Sequence, residues 1–282
     1  MPNSPSSSVQ EARKAIATRL GYLRQDAGLT GRDLAIRCGW HPAKASRIEN
    51  SRTRPSDEDI RQWCRVCDAE DQVSDLISAS RNAESMYREW RLLQREGMRR
   101  NQTSDVPLYQ RTRHMRVYCS NVVPGLLQTH GYAEALLSTI ADLFETPNDA
   151  TEAAAARVER SKVLYDGSKR FALLVEEDVL YFPFGDAKTM AGQLGFLLSV
   201  MALPSVSLGV IPRTAPRRMW TLEGFLAFDD KQVQVETLTA NITVTSPSEV
   251  GLYLRAFERL SKMAVYGAAA RSLILEAAAA HG

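Results

Sequence analysis

Residues 30–55, TGRDLAIRCGWHPAKASRIENSRTRP, leave this chain few ways to fold. Thr30 is a good helix N-cap, and Asp33 stands three residues on, where a short acidic side chain closes a capping-box-like start. Leu34 and Ala35 face inward, and Ala35 is small enough to let another helix approach. Gly39 takes the turn, since a positive φ is cheap only for glycine. A second helix begins near His41 with Pro42 at its first position, where the missing N–H leaves no bond unmade. Ala45 and Ile48 point into a core, which puts Ala43, Lys44, Ser46 and Arg47 on or near the outer face. Two short helices around a tight turn, the second with a polar and basic outer face, form the layout that sets a helix into the DNA major groove.

Arg47 is the first choice for reading bases, because a guanidinium grips guanine O6 and N7 together. Lys44 comes next, for a base edge or a phosphate. Arg52 and Arg54 follow the helix and suit phosphate, which positions without specifying. The first N–H groups of the preceding helix, near Thr30 and Gly31 with Arg32 beside them, suit a phosphate as well. His41, Ala43 and Ser46 complete the expected DNA-facing set.

The flanks extend the pattern. Ala12, Ile16, Leu20 and Leu23 recur at helical spacing over about 10–27, and Gly28 ends that helix. A fourth helix is expected over 56–67, capped by Ser56 with Asp57, Glu58 and Asp59 in its positive first turn, and a fifth over about 71–83. Residues 10–78 thereby resemble the xenobiotic-response-element (XRE) family of repressor-type helix-turn-helix domains, through Arg24, Thr30, Leu34, Ala35, Gly39, Ser46, Arg47, Ile48, Glu49, Arg54 and Pro55. The resemblance implies an all-α domain of five helices. It also implies an ion pair between an arginine of the first helix and the glutamate ending the third, here Arg24 and Glu49. Family members usually carry glutamine where Gly31 stands and glycine where Ser51 stands, so the exit from the third helix is expected to place Asn50 in the left-handed region.

At 282 residues, 44% of them hydrophobic, the chain is long enough for two cores. The net charge of +2 says little, but its distribution says more: Lys44, Arg47, Arg52 and Arg54 cluster against Glu49 alone, and a second basic run lies between Arg88 and Arg116. The opening MPNSPSSSVQ lacks an apolar stretch and reads as a disordered arm rather than a secretory signal. No apolar run reaches the ~18 residues of a membrane span; LGFLLSVMAL at 194–203 stops at Pro204. Four cysteines suit a reducing cytoplasm, with the nucleoid as the expected location. Cys64 and Cys67 form a C-x-x-C, but they share a helix face with Ile60 and Trp63 and no further ligands follow at sensible spacing, so core packing is expected and metal is not.

Four segments are expected: an arm over 1–9, the DNA-binding domain over 10–82, a connecting helix and linker over 83–105, and a regulatory α+β domain over 106–282. Residues 83–93 keep an amphipathic helical pattern through Met86, Trp90 and Leu93, and QREGMRRNQTSDVP reads as a break. HMRVYC, RFALLVEED, SLGVIP, GFLAFDD and QVQVETLT are strand-like runs. Helices are expected from Thr129, over TEAAAARVERSKVLYDG up to Gly167, over 186–203, over 248–266, and after Gly267. Strands bunched between helices argue for a small antiparallel or mixed sheet, hence an α+β fold. VVPGLLQTHGYAEALL, RVERSKVL, LLVEEDVL, MAGQLGFLLSV, PSVSLGVIP and EVGLYLRAFERLSKMAVYGAAARSLI resemble the C-terminal domain of the WhiJ-like regulators of actinomycetes. That resemblance implies a regulator of development or antibiotic production, acting with a small partner protein encoded nearby.

Catalytic signatures are lacking. There is no H-E-x-x-H, no G-x-S-x-G and no P-loop; His114, His130 and His281 are isolated, and Glu176, Glu177 and Asp178 read as a solvated strand end. No enzyme activity and no cofactor are expected. Tyr132, Arg217, Met219, Trp220 and Phe225 are the candidates for a groove that takes a partner or ligand. The expected function is a sequence-specific transcription regulator, homodimeric on double-stranded DNA, whose second domain dimerises or receives a small protein. The alternative is a repressor whose second domain senses a metabolite and releases DNA.

Overall fold

The computed structural model describes residues 7–82, 87–89, 97–238 and 240–281. The chain divides into two compact units, Met1–Tyr87 with Thr243–Glu249, and Arg88–Ile242 with Val250–Gly282.

The first unit is helical: α1 Ser7–Asp26, α2 Gly31–Arg37, α3 Pro42–Glu49, α4 Asp57–Val66 and α5 Val73–Asn82. The boundaries of α2 to α4 have local causes. Gly28 and Gly39 adopt φ of +68° and +66°, turning the chain between helices. Thr30 and Ser56 both cap with reciprocal bonds, to Asp33 and Asp59. Ile16, Leu20, Leu34, Ala35, Ala45, Ile48, Ile60 and Trp63 meet in one core, and Trp63 Nε1 donates to the Leu20 carbonyl at 3.0 Å. That bond lets an indole be fully buried without leaving its N–H unsatisfied.

The second unit is built on a sheet. The sheet's strands are β1 Tyr87–Glu89, β2 His114–Cys119, β3 Arg170–Glu176, β4 Val206–Ile211, β5 Phe225–Phe228, β6 Gln232–Glu236 and β7 Ala240–Val244, in the order β1-β7-β6-β5-β2-β3-β4, with Tyr87 and Thr243–Val244 counted in the first unit. β2–β3 and β3–β4 pair parallel, while β2–β5 and β5–β6 pair antiparallel, so the sheet is mixed and the fold is α+β. The helices are α6 Met98–Ser104, α7 Val106–Arg111, α8 His130–Phe144, α9 Ala150–Ser161, α10 Ala187–Val200, α11 Pro247–Ser261 and α12 Gly267–Ala280. β3 is buried almost along its whole length, which is why it reads as a continuous apolar run instead of an alternating one.

Several expectations are corrected. Tyr87–Glu89 is a strand rather than part of a helix, because edge pairing follows the neighbouring ladder more than local periodicity; the rest of 83–96 lies outside the described residues. The expected break contains α6, whose first N–H groups, of Met98 and Arg99, each donate to the Asp149 carboxylate at 3.0 Å. A cap supplied 51 residues away leaves no local signal. α9 stops at Ser161 and tightens into a 3-10 turn over Lys162–Tyr165 before Gly167 is reached. α11 ends at Ser261, not at 266, because Val265 exchanges backbone bonds of 3.0 and 2.8 Å with Val210. β7, ANITV, was not anticipated, since its central residues are only half-buried and carry no clear alternation. Glu176 is buried, not solvated.

Gly209, on β4, admits no side chain: an added Cβ would stand 2.7 Å from Tyr266 and 2.8 Å from Leu174. Gly209→Ala is expected to destabilise the protein by about 1–3 kcal/mol through overpacking, read as a lower urea midpoint; an unchanged midpoint would contradict the packing described.

Candidate nucleic-acid interface

α3 is anchored on one side and free on the other. Ala45 and Ile48 are buried, while Ser46 and Arg47 are exposed and Ala43 is half-buried. The end of the helix is tied to α1: Arg24 Nε and Nη2 donate to Glu49 Oε1 at 3.1 and 2.6 Å, and Nη1 donates to the Leu29 carbonyl at 2.5 Å. The side chains of this pair are 14% and 23% exposed, so water screens the pair only weakly. Gly21 makes room for it, since a Cβ there would lie 2.9 Å from Glu49 Oε1. Gly31 Cα faces the same carboxylate, with an added Cβ 4.0 Å from Oε2.

The sequence-derived DNA set is brought together around α2, α3 and the following loop, but its members differ in freedom. Arg47 and Arg52 make no side-chain hydrogen bond or ion pair among the described residues, and both are exposed. Arg54 Nε lies 3.4 Å from Ser80 Oγ. Lys44 is not a free cation: its Nζ donates to Asp59 Oδ1 at 2.5 Å and sits 4.3 Å above the Trp40 ring. Burial raises the Asp59 pKa, but the bonds from Lys44 and Ser56 outweigh it and hold the carboxyl below its ordinary range. His41 is the N-cap of α3, and its Nδ1 accepts from the Ala43 N–H at 3.3 Å. Thr30 is engaged with Asp33, whose carboxyl is held low by the Thr30 hydroxyl and then by the Thr30 N–H. Arg32 is exposed beside it. Trp40, Asp59 and Ser80 had not been singled out as supports. Asp59 and Ser80 lie 15 and 26 positions from their partners Lys44 and Arg54, beyond any local pattern, while Trp40 precedes Lys44 by one helical turn.

The exit from α3 differs from expectation. Asn50 has φ −93°, and Ser51 takes the left-handed position at φ +57°. Ser51 N donates to the Ile48 carbonyl at 3.0 Å and Arg52 N to the Arg47 carbonyl at 2.8 Å, the double bonding of a Schellman cap. In that motif the left-handed residue follows the cap, which assigns the role to Ser51 and frees Asn50 Nδ2 to donate to the Ser46 carbonyl at 2.8 Å.

Cys64 and Cys67 are buried, and burial pushes both thiols up to about 11, so they stay protonated. No cluster able to hold a metal ion occurs among the described residues, and no described helix is long and apolar enough to cross a membrane.

In the second unit the five groove candidates do not form one site. Tyr132 and Phe225 are fully buried: the Tyr132 hydroxyl accepts from the Val123 N–H at 3.2 Å, and Phe225 packs on Tyr118, Tyr253 and Phe257. Arg217 is held by two bonds of 2.8 and 2.7 Å to Glu176, whose Oε1 also accepts from the Tyr118 hydroxyl at 2.9 Å. Trp220 is 70% exposed, and Met219 beside it is half-buried. A separate cavity of about 820 Å³ lies among α6, α7 and α9, and none of the five lines it.

Comparison with known families agrees with this division. A helix-turn-helix domain matches residues 15–76, and a domain of unknown function (DUF5753) matches residues 103–276. The chain belongs to the DUF5753 family. No curated protein matches the chain. The DUF5753 unit is thus joined to an XRE-like helix-turn-helix, the module of DNA-binding regulators.

Two outcomes are expected from this geometry. Glu49→Ala leaves the Arg24 guanidinium half-buried without its anion and costs about 1–3 kcal/mol, read from thermal or urea unfolding; full stability in the variant would remove the pair from the account. Ser51→Gly relieves a left-handed side chain and raises stability by about 0.5–1 kcal/mol, after the glycine's larger unfolded-state entropy is subtracted. A fall in the urea midpoint would refute the second.

Proposed function

We propose that this protein is a sequence-specific transcription regulator that reads operator DNA with α3. The observation carrying the proposal is Arg47, exposed and unpaired among the described residues, on a helix whose opposite face and C-terminal end are both fastened. A side chain so placed is free to enter the groove while its backbone is held, and a guanidinium matches the two acceptors of guanine. Ser46 and Ala43 flank it, and Arg52, Arg54 and Arg32 supply phosphate contacts around it. Lys44 contributes field more than contact while Asp59 holds it.

A single recognition helix covers too little surface for tight specific binding, so the protein acts as a homodimer on two half-sites about one DNA turn apart. Residues 10–82 read DNA, and residues 106–282, with the connection before them, dimerise or receive a small partner protein. The sequence words of the second domain support membership of the WhiJ-like regulators of actinomycetes, and with it a role in development or antibiotic production in the cytoplasm at the nucleoid. A second reading, metabolite sensing by the DUF5753 unit, is favoured by the cavity among α6, α7 and α9.

Arg47→Ala is expected to weaken operator binding by about 1–3 kcal/mol at unchanged melting temperature, with relaxed specificity at one base pair. Arg52→Ala is expected to weaken all sequences alike and to reduce the salt slope of log K by about 1. Titration of operator fragments by fluorescence anisotropy reads both. Unaltered sequence preference in the Arg47 variant would sink the reading, and one chain per operator by light scattering would sink the dimer.

A further inference from the structure

Arg24 and Arg217 meet carboxylates; Arg157 and Arg160, beside the DUF5753 cavity, meet only neutral acceptors among the described residues. α9 carries Arg157 and Arg160 one turn apart. Arg157 donates from Nε to Gln102 Oε1 at 3.1 Å and from Nη1 to Gln128 Oε1 at 2.5 Å, and Arg160 Nη1 donates to the Gln102 carbonyl at 3.2 Å. All three acceptors are neutral. Arg160 Nε is buried with no hydrogen-bond partner among the described residues, and its guanidinium lies 4.6 Å over the Tyr109 ring. Burial, and then the charge of Arg160, push the Arg157 guanidinium down to about 10.

Across the cavity, the Lys169 side chain is 8% exposed. Its Nζ donates to the carbonyls of Gln110 and Thr112 at 2.5 and 2.8 Å, again neutral acceptors. Three acids also line the cavity. Asp166 is 3.8 Å from Lys169 and already accepts from the Ser168 N–H and hydroxyl; Glu159 is paired at 2.7 Å with Lys162 and exposed; Glu152 is exposed. Val106, Val163, Ala155, Ala156 and the Tyr109 ring form the apolar part of the wall. Arg99 and Lys162 add positive charge at the lining. A cavity of about 820 Å³ has the size of sites that take small organic ligands. Buried positive charge without an internal counter-charge is costly unless an anion offsets it.

We propose that this cavity binds a small organic anion, with a carboxylate or phosphate group facing Arg160 and Lys169 and a flat apolar body against Tyr109, Val106 and Val163. Arg160 supplies Nη2, which makes no hydrogen bond among the described residues, and Lys169, Arg99 and Lys162 supply field. This deepens the ligand-sensing reading by naming the ligand class, and it rests on that reading only for what binding does to DNA affinity.

The full-length protein decides it by calorimetric titration with phenyl phosphate and benzoate, with benzyl alcohol as the neutral control and inorganic phosphate as the bare anion. The expected result is binding of phenyl phosphate or benzoate in the millimolar range or tighter, weaker binding of inorganic phosphate, and none of benzyl alcohol. Arg160→Met is expected to weaken the aromatic anion by about tenfold or more, since a charge-assisted contact is lost. The double variant R99Q/K162Q, which changes only cations at the lining and no buried bond, is expected to weaken it by about threefold or more; it decides the matter if Arg160→Met does not fold. The proposal is overturned by equal affinity in wild type and the folded variant, by equal binding of the neutral control, or by binding of inorganic phosphate as tight as that of phenyl phosphate, which would mark an adventitious ion only. Anion binding lost in the variants, with operator affinity unchanged by the anion, keeps the site and ends the ligand-sensing reading.

Discussion

The guanidinium of Arg24 spans three pieces of chain: the end of α1 that carries it, the carbonyl of Leu29 in the following loop, and the carboxylate of Glu49 at the end of α3. The orientation of α3 depends on that contact. A helix of eight residues is far too short to persist in water by itself, so it exists here because Ala45 and Ile48 are buried and because its last turn is tethered. Burial of two side chains fixes which face looks inward. The charged tether fixes the tilt of the axis, and with it the direction in which Arg47 leaves the surface. Gly21 belongs to the same device, because only a residue without Cβ lets the Glu49 carboxylate lie against α1.

The DUF5753 unit repeats the device on a sheet. Glu176, at the end of β3, is buried and receives both nitrogens of Arg217 and the hydroxyl of Tyr118, and the Leu222 N–H reaches that same hydroxyl at 3.4 Å. The segment between β4 and β5 is thereby pinned on both sides of Trp220, which stays exposed. Set beside these two saturated pairs, Arg157 and Arg160 stand out. They have the same chemistry and, like Arg24, are half-buried, but their acceptors are amides and carbonyls. Arg24 and Arg217 are matched by carboxylates from within the chain; the charge of Arg157 and Arg160 is left to be matched from outside.

Legibility in the sequence followed the range of the forces. Thr30 with Asp33, Ser56 with Asp59, and the two positive-φ glycines act within three or four residues, so every helix of the first unit could be located from its own residues. β3 was legible because a strand covered on both faces is a continuous apolar run. α6 was not, since its cap is Asp149, and the end of α11 was not, since Val265 is drawn away by Val210. At the candidate interface the outward face of α3 could be read from helical period alone. The capture of Lys44 by Asp59, and the burial of Tyr132 and Phe225, required distant partners.

By itself the sequence determined where α2, α3 and α4 begin and end, which face of α3 is apolar, and that a second, α+β architecture follows. Those properties are set by backbone conformation and side-chain period, which are local. Only the tertiary structure decided which cations are free. Whether an arginine or lysine finds a carboxylate depends on chain segments that meet in space across long separations, and electrostatic energy is set by that distance and by the water excluded around it. Arg47 was left in solvent, Lys44 was taken by Asp59, and Arg160 was enclosed without an anion, though all three are the same kind of residue in the sequence.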